Sequence, residues 1–174
     1  MILRKLETEG ELNRLKELYM ASFPDSERKP FEMIEAFEKR GQTEILGVFD
    51  PDFAGLLITL HAQDDLMLID YLAVDPRKRG LGVGSAALSL FEQAHPGVPV
   101  IIEIEDPEVY PGEDKIRRRE FYFRNGFEQM PFAVDLFGVQ MRILVRNGRI
   151  TYPQYKDLLL RVLGDMAREH VTEV

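Results

Sequence analysis

Residues 66–94, LMLIDYLAVDPRKRGLGVGSAALSLFEQA, constrain the fold most. An apolar run of strand character ends in three consecutive cations, Arg77, Lys78 and Arg79, and three alternating glycines then open a segment with helical periodicity. A helix that starts this way turns unpaired N–H groups outward, and its macrodipole adds about half a positive charge there. Glycines let a ligand approach the backbone and accept torsions that other residues resist. The junction therefore predicts a βα unit and an anionic, phosphate-bearing ligand.

Ordinary elements flank it. ILRKL is a candidate first strand, and Leu12, Leu15, Leu18 and Tyr19 recur at helical spacing from Gly10 to Ala21. SFPDSERKP reads as a loop, and Phe31, Ile34 and Phe37 mark a second helix, with Pro30 suited to its first turn and Gly41 to its end. EILGVF and FAGLLITL read as strands joined by DPD, and HAQDD makes the next turn. In the glycine helix Ala87, Leu88, Phe91 and Ala94 keep helical spacing, and PVIIEIE is a further strand. A helix is predicted from Lys115 to about Arg124, and a hairpin about Gly138. Thr151 with Gln154 fits a capping box for a last helix, whose stripe Tyr155, Leu158, Leu159, Val162, Leu163 and Met166 reads as core. The order is that of one α/β domain.

Composition excludes several classes. With 174 residues and no cysteine, the chain offers one domain with a real core, no disulfide framework, no thiol nucleophile and no thiolate metal site. His61, His95 and His170 are too scattered to suggest a metal centre, and His170 falls in a tail expected to fray. A net charge of −8 argues against nucleic acid. No apolar leader or membrane-length run is present, which predicts no membrane partner and a cytoplasmic location.

Two phosphate ligands compete for the junction. GLGVGS nearly matches G-x-G-x-x-G/A, with Ser85 in the third glycine's place and Glu103 about where a ribose-binding acid belongs, which would make an NAD(P)-dependent oxidoreductase. Against this, residues 75–79 separate the glycines from the strand, and the flanks lack the βαβ units of a dinucleotide fold. The other ligand is coenzyme A. Arg79-Gly80-Leu81-Gly82-Val83-Gly84 fits R/Q-x-x-G-x-G/A after an apolar strand, and REFYFRNGF (119–127) follows at a fitting distance. As an ordered pair, these resemble the pyrophosphate loop and the FYxxxGF segment of the GNAT superfamily of N-acetyltransferases, over roughly residues 2–146.

The resemblance implies an α/β GNAT fold: a mixed, largely antiparallel central sheet flanked by helices, with splayed central strands. Residues 1–146 would form the acetyltransferase domain, and 147–174 a C-terminal helical extension packed on it. It also implies that backbone N–H groups of Gly80, Leu81, Gly82, Val83, Gly84 and Ser85 hold the pyrophosphate, with Arg79 at the family's cationic position. Leu72, Ala73 and Val74 would pair with the pantetheine arm, and Tyr122 would protonate the departing thiolate. The general base stays open among Asp70, Glu103, Glu105 and no dedicated protein base. Where many members have asparagine and alanine before the tyrosine, this chain has Lys115 and Arg118; Arg118 and the rest of KIRRR either supplement the phosphate site or form a solvated face.

Transfer from acetyl-CoA to a primary amine, directly in a ternary complex and without metal, is the expected activity. A non-catalytic acyl-CoA binder is the alternative. Asp70, Glu103, Glu105 and Asp106 favour a cationic small-molecule acceptor, with a protein amine as the other candidate. Glu27 and Arg28 in the loop after the first helix are candidate acceptor contacts, and the last helix is a candidate homodimer contact.

Overall fold

A computed structural model describes residues 1–63 and 65–174; Asp64, within the HAQDD turn, lies outside the described residues. The chain forms two compact units, Met1–Leu60 with Ile69–Pro96, and His61–Leu68 with Gly97–Val174.

The first unit contains β1 (Ile2–Lys5), α1 (Glu9–Ser22), α2 (Phe31–Lys39), β2 (Ile45–Phe49), β3 (Phe53–His61, to Leu60), β4 (Met67–Val74, from Ile69) and α3 (Val83–Ala94). Its strands lie in the order β1-β2-β3-β4, with β1 and β2 and then β2 and β3 antiparallel. Every residue of β2 and β3 is buried, which is why their sequences read as continuous apolar runs. Leu15, Leu18 and Tyr19 of α1 and Ile34 of α2 meet Phe49, Leu56, Ile58 and Tyr71 in one core. Gly55 allows β3 to approach β4, since a Cβ there would stand 2.7 Å from the Ala73 carbonyl oxygen. Within this unit β4 is an edge strand.

The second unit holds β5 (Val100–Glu105), α4 (Glu113–Arg124), β6 (Glu128–Leu136), β7 (Val139–Arg146), α5 (Tyr152–Leu163), α6 (Asp165–His170) and β8 (Val171–Glu173). Met67 and Leu68, the start of β4, pair in parallel with Val100 and Ile101. β5, β7, β6 and β8 follow antiparallel in that order. This unit contains all of residues 147–174.

The local signals in the sequence hold with small shifts. Gln154 Oε1 accepts the Thr151 N–H at 2.8 Å, as the capping box requires. Pro30 is the N-cap of α2 rather than part of its first turn, and α4 begins at Glu113, two residues before Lys115. Ala94 is exposed and Met166 is 39% exposed, so each stripe stops one apolar residue early.

The larger correction is at the C-terminus. His170 does not lie in a frayed tail: it ends α6 and stacks on Phe137, and β8 follows it onto the edge of β6. The Lys156 ammonium, its pKa lowered by burial, caps α6 by donating to the carbonyls of Ala167 and Val171. An open strand edge next to the end of the chain, with a lysine one turn into the preceding helix, decides this.

Candidate active site

The glycine junction lies wholly in the first unit. After β4, Asp75 turns the chain by accepting the Arg77 N–H at 3.0 Å. Gly80 and Gly82 have φ of 77° and 78°, the left-handed region that side chains resist, and a Cβ on either would meet nothing within 4 Å. The backbone torsion, not packing, demands glycine here, and the space beside it is open. Gly82 is the N-cap of α3, and the first intrahelical bond runs from Ala86 N–H to its carbonyl at 2.9 Å. The N–H groups of Val83, Gly84 and Ser85 thus occupy the helix positions that precede intrahelical pairing.

The three cations are not equivalent. Arg77 grips Asp75 through two bonds, of 3.1 and 2.7 Å, and these hold the Asp75 carboxyl down at about 2. Lys78 Nζ donates to the Asp50 carbonyl at 2.6 Å. Arg79, exposed beside Gly80, is tethered among the described residues only by a 3.4 Å bond to the Val74 carbonyl. Of the three, Arg79 is therefore the cation most available to an anion at the glycines. Leu81 is 66% exposed, whereas Val83 is buried and anchors the start of α3.

Asp70 and Leu72 are half-buried on the face of β4 that alternates with buried Ile69, Tyr71 and Ala73. Both Asp70 oxygens accept from Lys29 Nζ, at 2.9 and 2.8 Å. Next to them the Tyr71 hydroxyl donates to the Glu27 carbonyl at 2.9 Å and accepts the Lys29 N–H at 3.0 Å. Tyr19 adds a bond to the Lys29 carbonyl at 2.8 Å. The loop between α1 and α2 is thus fastened to β4 by Lys29, which the sequence reading passed over. In the same loop Glu27 gives its backbone carbonyl to Tyr71, and Arg28 binds the Met20 carbonyl and Asp25. The signal was a lysine before proline in a loop facing an acidic strand residue. Tyr71→Phe leaves two loop backbone groups unsatisfied and should cost about 1–3 kcal/mol in urea denaturation.

In the second unit, Glu103 and Glu105 share one face of β5. Lys115 of α4, a member of the basic run, pairs with Glu105 at 3.2 Å. Glu103 Oε1 accepts the Tyr155 hydroxyl of α5 at 2.5 Å. Asp106, fully buried, takes Arg142 Nε at 2.7 Å and Gln140 Nε2 at 3.2 Å. Asp70, Glu105 and Asp106 each hold a cation of their own unit.

Tyr122 is 8% exposed, and its ring meets Phe121 and Phe127 edge-on. Burial pushes its pKa up to about 12, with the nearby Arg118 charge pulling the other way. It is protonated throughout the physiological range and can give a proton to a stronger base. Arg118 itself is exposed on α4. Among the described residues no group of three or more histidines, aspartates and glutamates could hold a metal ion, and no helix is long and apolar enough to cross a membrane.

No protein-family model and no curated protein matches this chain. Solved structures do. A GNAT-family acetyltransferase from Bacteroides thetaiotaomicron superposes with a TM-score of 0.79 at 22% identity, over 94% of this chain and 99% of that one. An aminoglycoside 6′-N-acetyltransferase complexed with coenzyme A reaches 0.64 at 14% identity, over 84% and 96%. The ribosomal-protein-S18-alanine N-acetyltransferase of Escherichia coli reaches 0.59 at 16%, over 86% and 94%. The mixed, largely antiparallel sheet expected from the two motifs is present, and the chain has the GNAT fold.

Proposed function

We propose that this chain is an acetyl-CoA-dependent N-acetyltransferase that moves an acetyl group to a primary amine by direct transfer in a ternary complex. The observation that carries the reading is the glycine junction: two left-handed glycines open to solvent, Arg79 beside them, and a helix N-terminus directly after. These are the parts that a pyrophosphate needs. The acetyltransferases of like fold support it, one of them holding coenzyme A.

In this reading the amine arrives as an ammonium and gives one proton to a carboxylate. Its nitrogen attacks the thioester carbonyl, the C–N bond forms, and the C–S bond breaks with its electron pair going to sulfur. Tyr122 protonates that sulfur and is restored by the second proton the nitrogen sheds. Asp70, Glu103 and Glu105 are the carboxylates available for the first step. Aminoglycoside 6′-N-acetyltransferases and a ribosomal-protein-S18-alanine N-acetyltransferase are among the proteins of like fold, so amines of both kinds belong in the first substrate screen.

The test is thermal unfolding with CoA, acetyl-CoA, NAD or NADP added separately. A ligand at 100 times its dissociation constant stabilises by about 2.7 kcal/mol, a shift on the order of 5–10 °C for a chain of this length. The CoA compounds alone should produce it. A shift with NAD or NADP alone would overturn the reading and make GLGVGS a dinucleotide loop.

A further inference from the structure

The carboxylate of Asp70 already holds a primary ammonium. Lys29 Nζ lies 2.9 and 2.8 Å from its two oxygens and 5.3 Å from the centre of the Tyr71 ring. A carboxylate beside an aromatic face suits a –CH2–NH3+ group, which donates N–H bonds to the oxygens and sets its charge against the ring. Different groups hold the backbone and the side chain of Lys29. Its N–H donates to the Tyr71 hydroxyl at 3.0 Å and its carbonyl accepts the Tyr19 hydroxyl at 2.8 Å, and both tyrosines are buried. Pro30, the next residue, is the N-cap of α2. The loop therefore keeps its place when the ammonium leaves. The side chain of Lys29 is 22% exposed, and an ion pair that water reaches on a flexible four-carbon stem is easily exchanged. All of these residues belong to the unit that carries the glycine junction.

We propose that Asp70 is the binding site for the acceptor's ammonium, that Lys29 is its resident occupant, and that the acceptor is a primary alkylammonium which displaces Lys29 Nζ. This rests on the acetyl-transfer reading and names its substrate class. An amine at the end of an unbranched methylene chain repeats the shape of the lysine it replaces. A quaternary ammonium brings the charge but has no N–H to donate. The resident lysine lowers the apparent affinity for the amine in proportion to the fraction of molecules whose Asp70 is open. Lys29→Met therefore binds the amine more tightly than wild type, the reverse of what loss of a substrate contact does.

The probe is n-butylamine, with butyltrimethylammonium as its control, added to the full chain with and without CoA at constant ionic strength. The first readout is the ε-carbon of Lys29 by NMR in lysine-labelled protein, assigned by its loss in Lys29→Met. Butylamine should move this signal to the position it has in Asp70→Asn, and the quaternary ion should leave it in place. A signal that neither ion moves, or that both move alike, overturns the proposal. The second readout is butylamine affinity by calorimetry. It should tighten about tenfold in Lys29→Met, the gain for an Asp70 that is open about one-tenth of the time in wild type. Equal or weaker binding overturns the proposal. Should Lys29→Met not fold, Lys29→Arg serves both readouts. A guanidinium grips a carboxylate through two parallel bonds, so this variant should bind butylamine more weakly than wild type; equal or tighter binding overturns the proposal. Wild-type protein indifferent to CoA removes the functional reading itself, and the acceptor with it. A normal CoA shift with an unmoved Lys29 signal removes only the role given to Asp70.

Discussion

Gly82→Val abolishes the thermal shift with CoA while the chain stays folded. At φ 78° a β-branched residue is a steric outlier, so the backbone must leave the conformation that turns the α3 N–H groups outward. The folded state itself loses little, because nothing lies within 4 Å of the new Cβ; about 1–2 kcal/mol of left-handed strain is the expected cost. A control separates the two effects. Gly41, at φ 71° after α2 and equally open, should lose similar stability as Gly41→Val yet keep the full CoA shift. If both variants keep it, the glycine junction is a turn and the phosphate site lies elsewhere.

Tyr122→Phe leaves CoA binding intact and lowers kcat by about 10²–10⁴-fold, the range for a lost general acid. The ring is retained, so its contacts with Phe121 and Phe127 survive, and only the proton on oxygen is removed. With a pKa near 12, Tyr122 does not titrate below pH 10, so wild type and variant should give pH–rate profiles of the same shape at different heights. A wild-type alkaline limb near pH 8–9 that vanishes in Tyr122→Phe would show that the hydroxyl ionises far below that value. The same shift has a sign in stability. The tyrosine pKa is raised on folding from 10 to about 12, so its stabilisation is complete below pH 10 and lost as pH rises towards 12. Urea denaturation of wild type minus Tyr122→Phe should fall by about 2–3 kcal/mol across that window.

What the sequence by itself determined rests on neighbours along the chain. The left-handed glycines after a strand, the Thr151–Gln154 box, the Gly138 turn and the helical stripes each follow from residues a few positions apart, whose torsions and spacing need no distant partner. The two motifs were legible for the same reason, and with them the fold. Tertiary structure alone decided which group each carboxylate meets. Asp70 and Lys29 are 41 residues apart, and Glu103 and Tyr155 are 52 apart. Periodicity assigns a side chain to a face of its element but says nothing of what packs there, so Tyr155 read as core and Lys29 went unnoticed. The last strand followed the same logic: its pairing depends on a free β6 edge and on Lys156, and a three-residue run carries no periodicity to announce it.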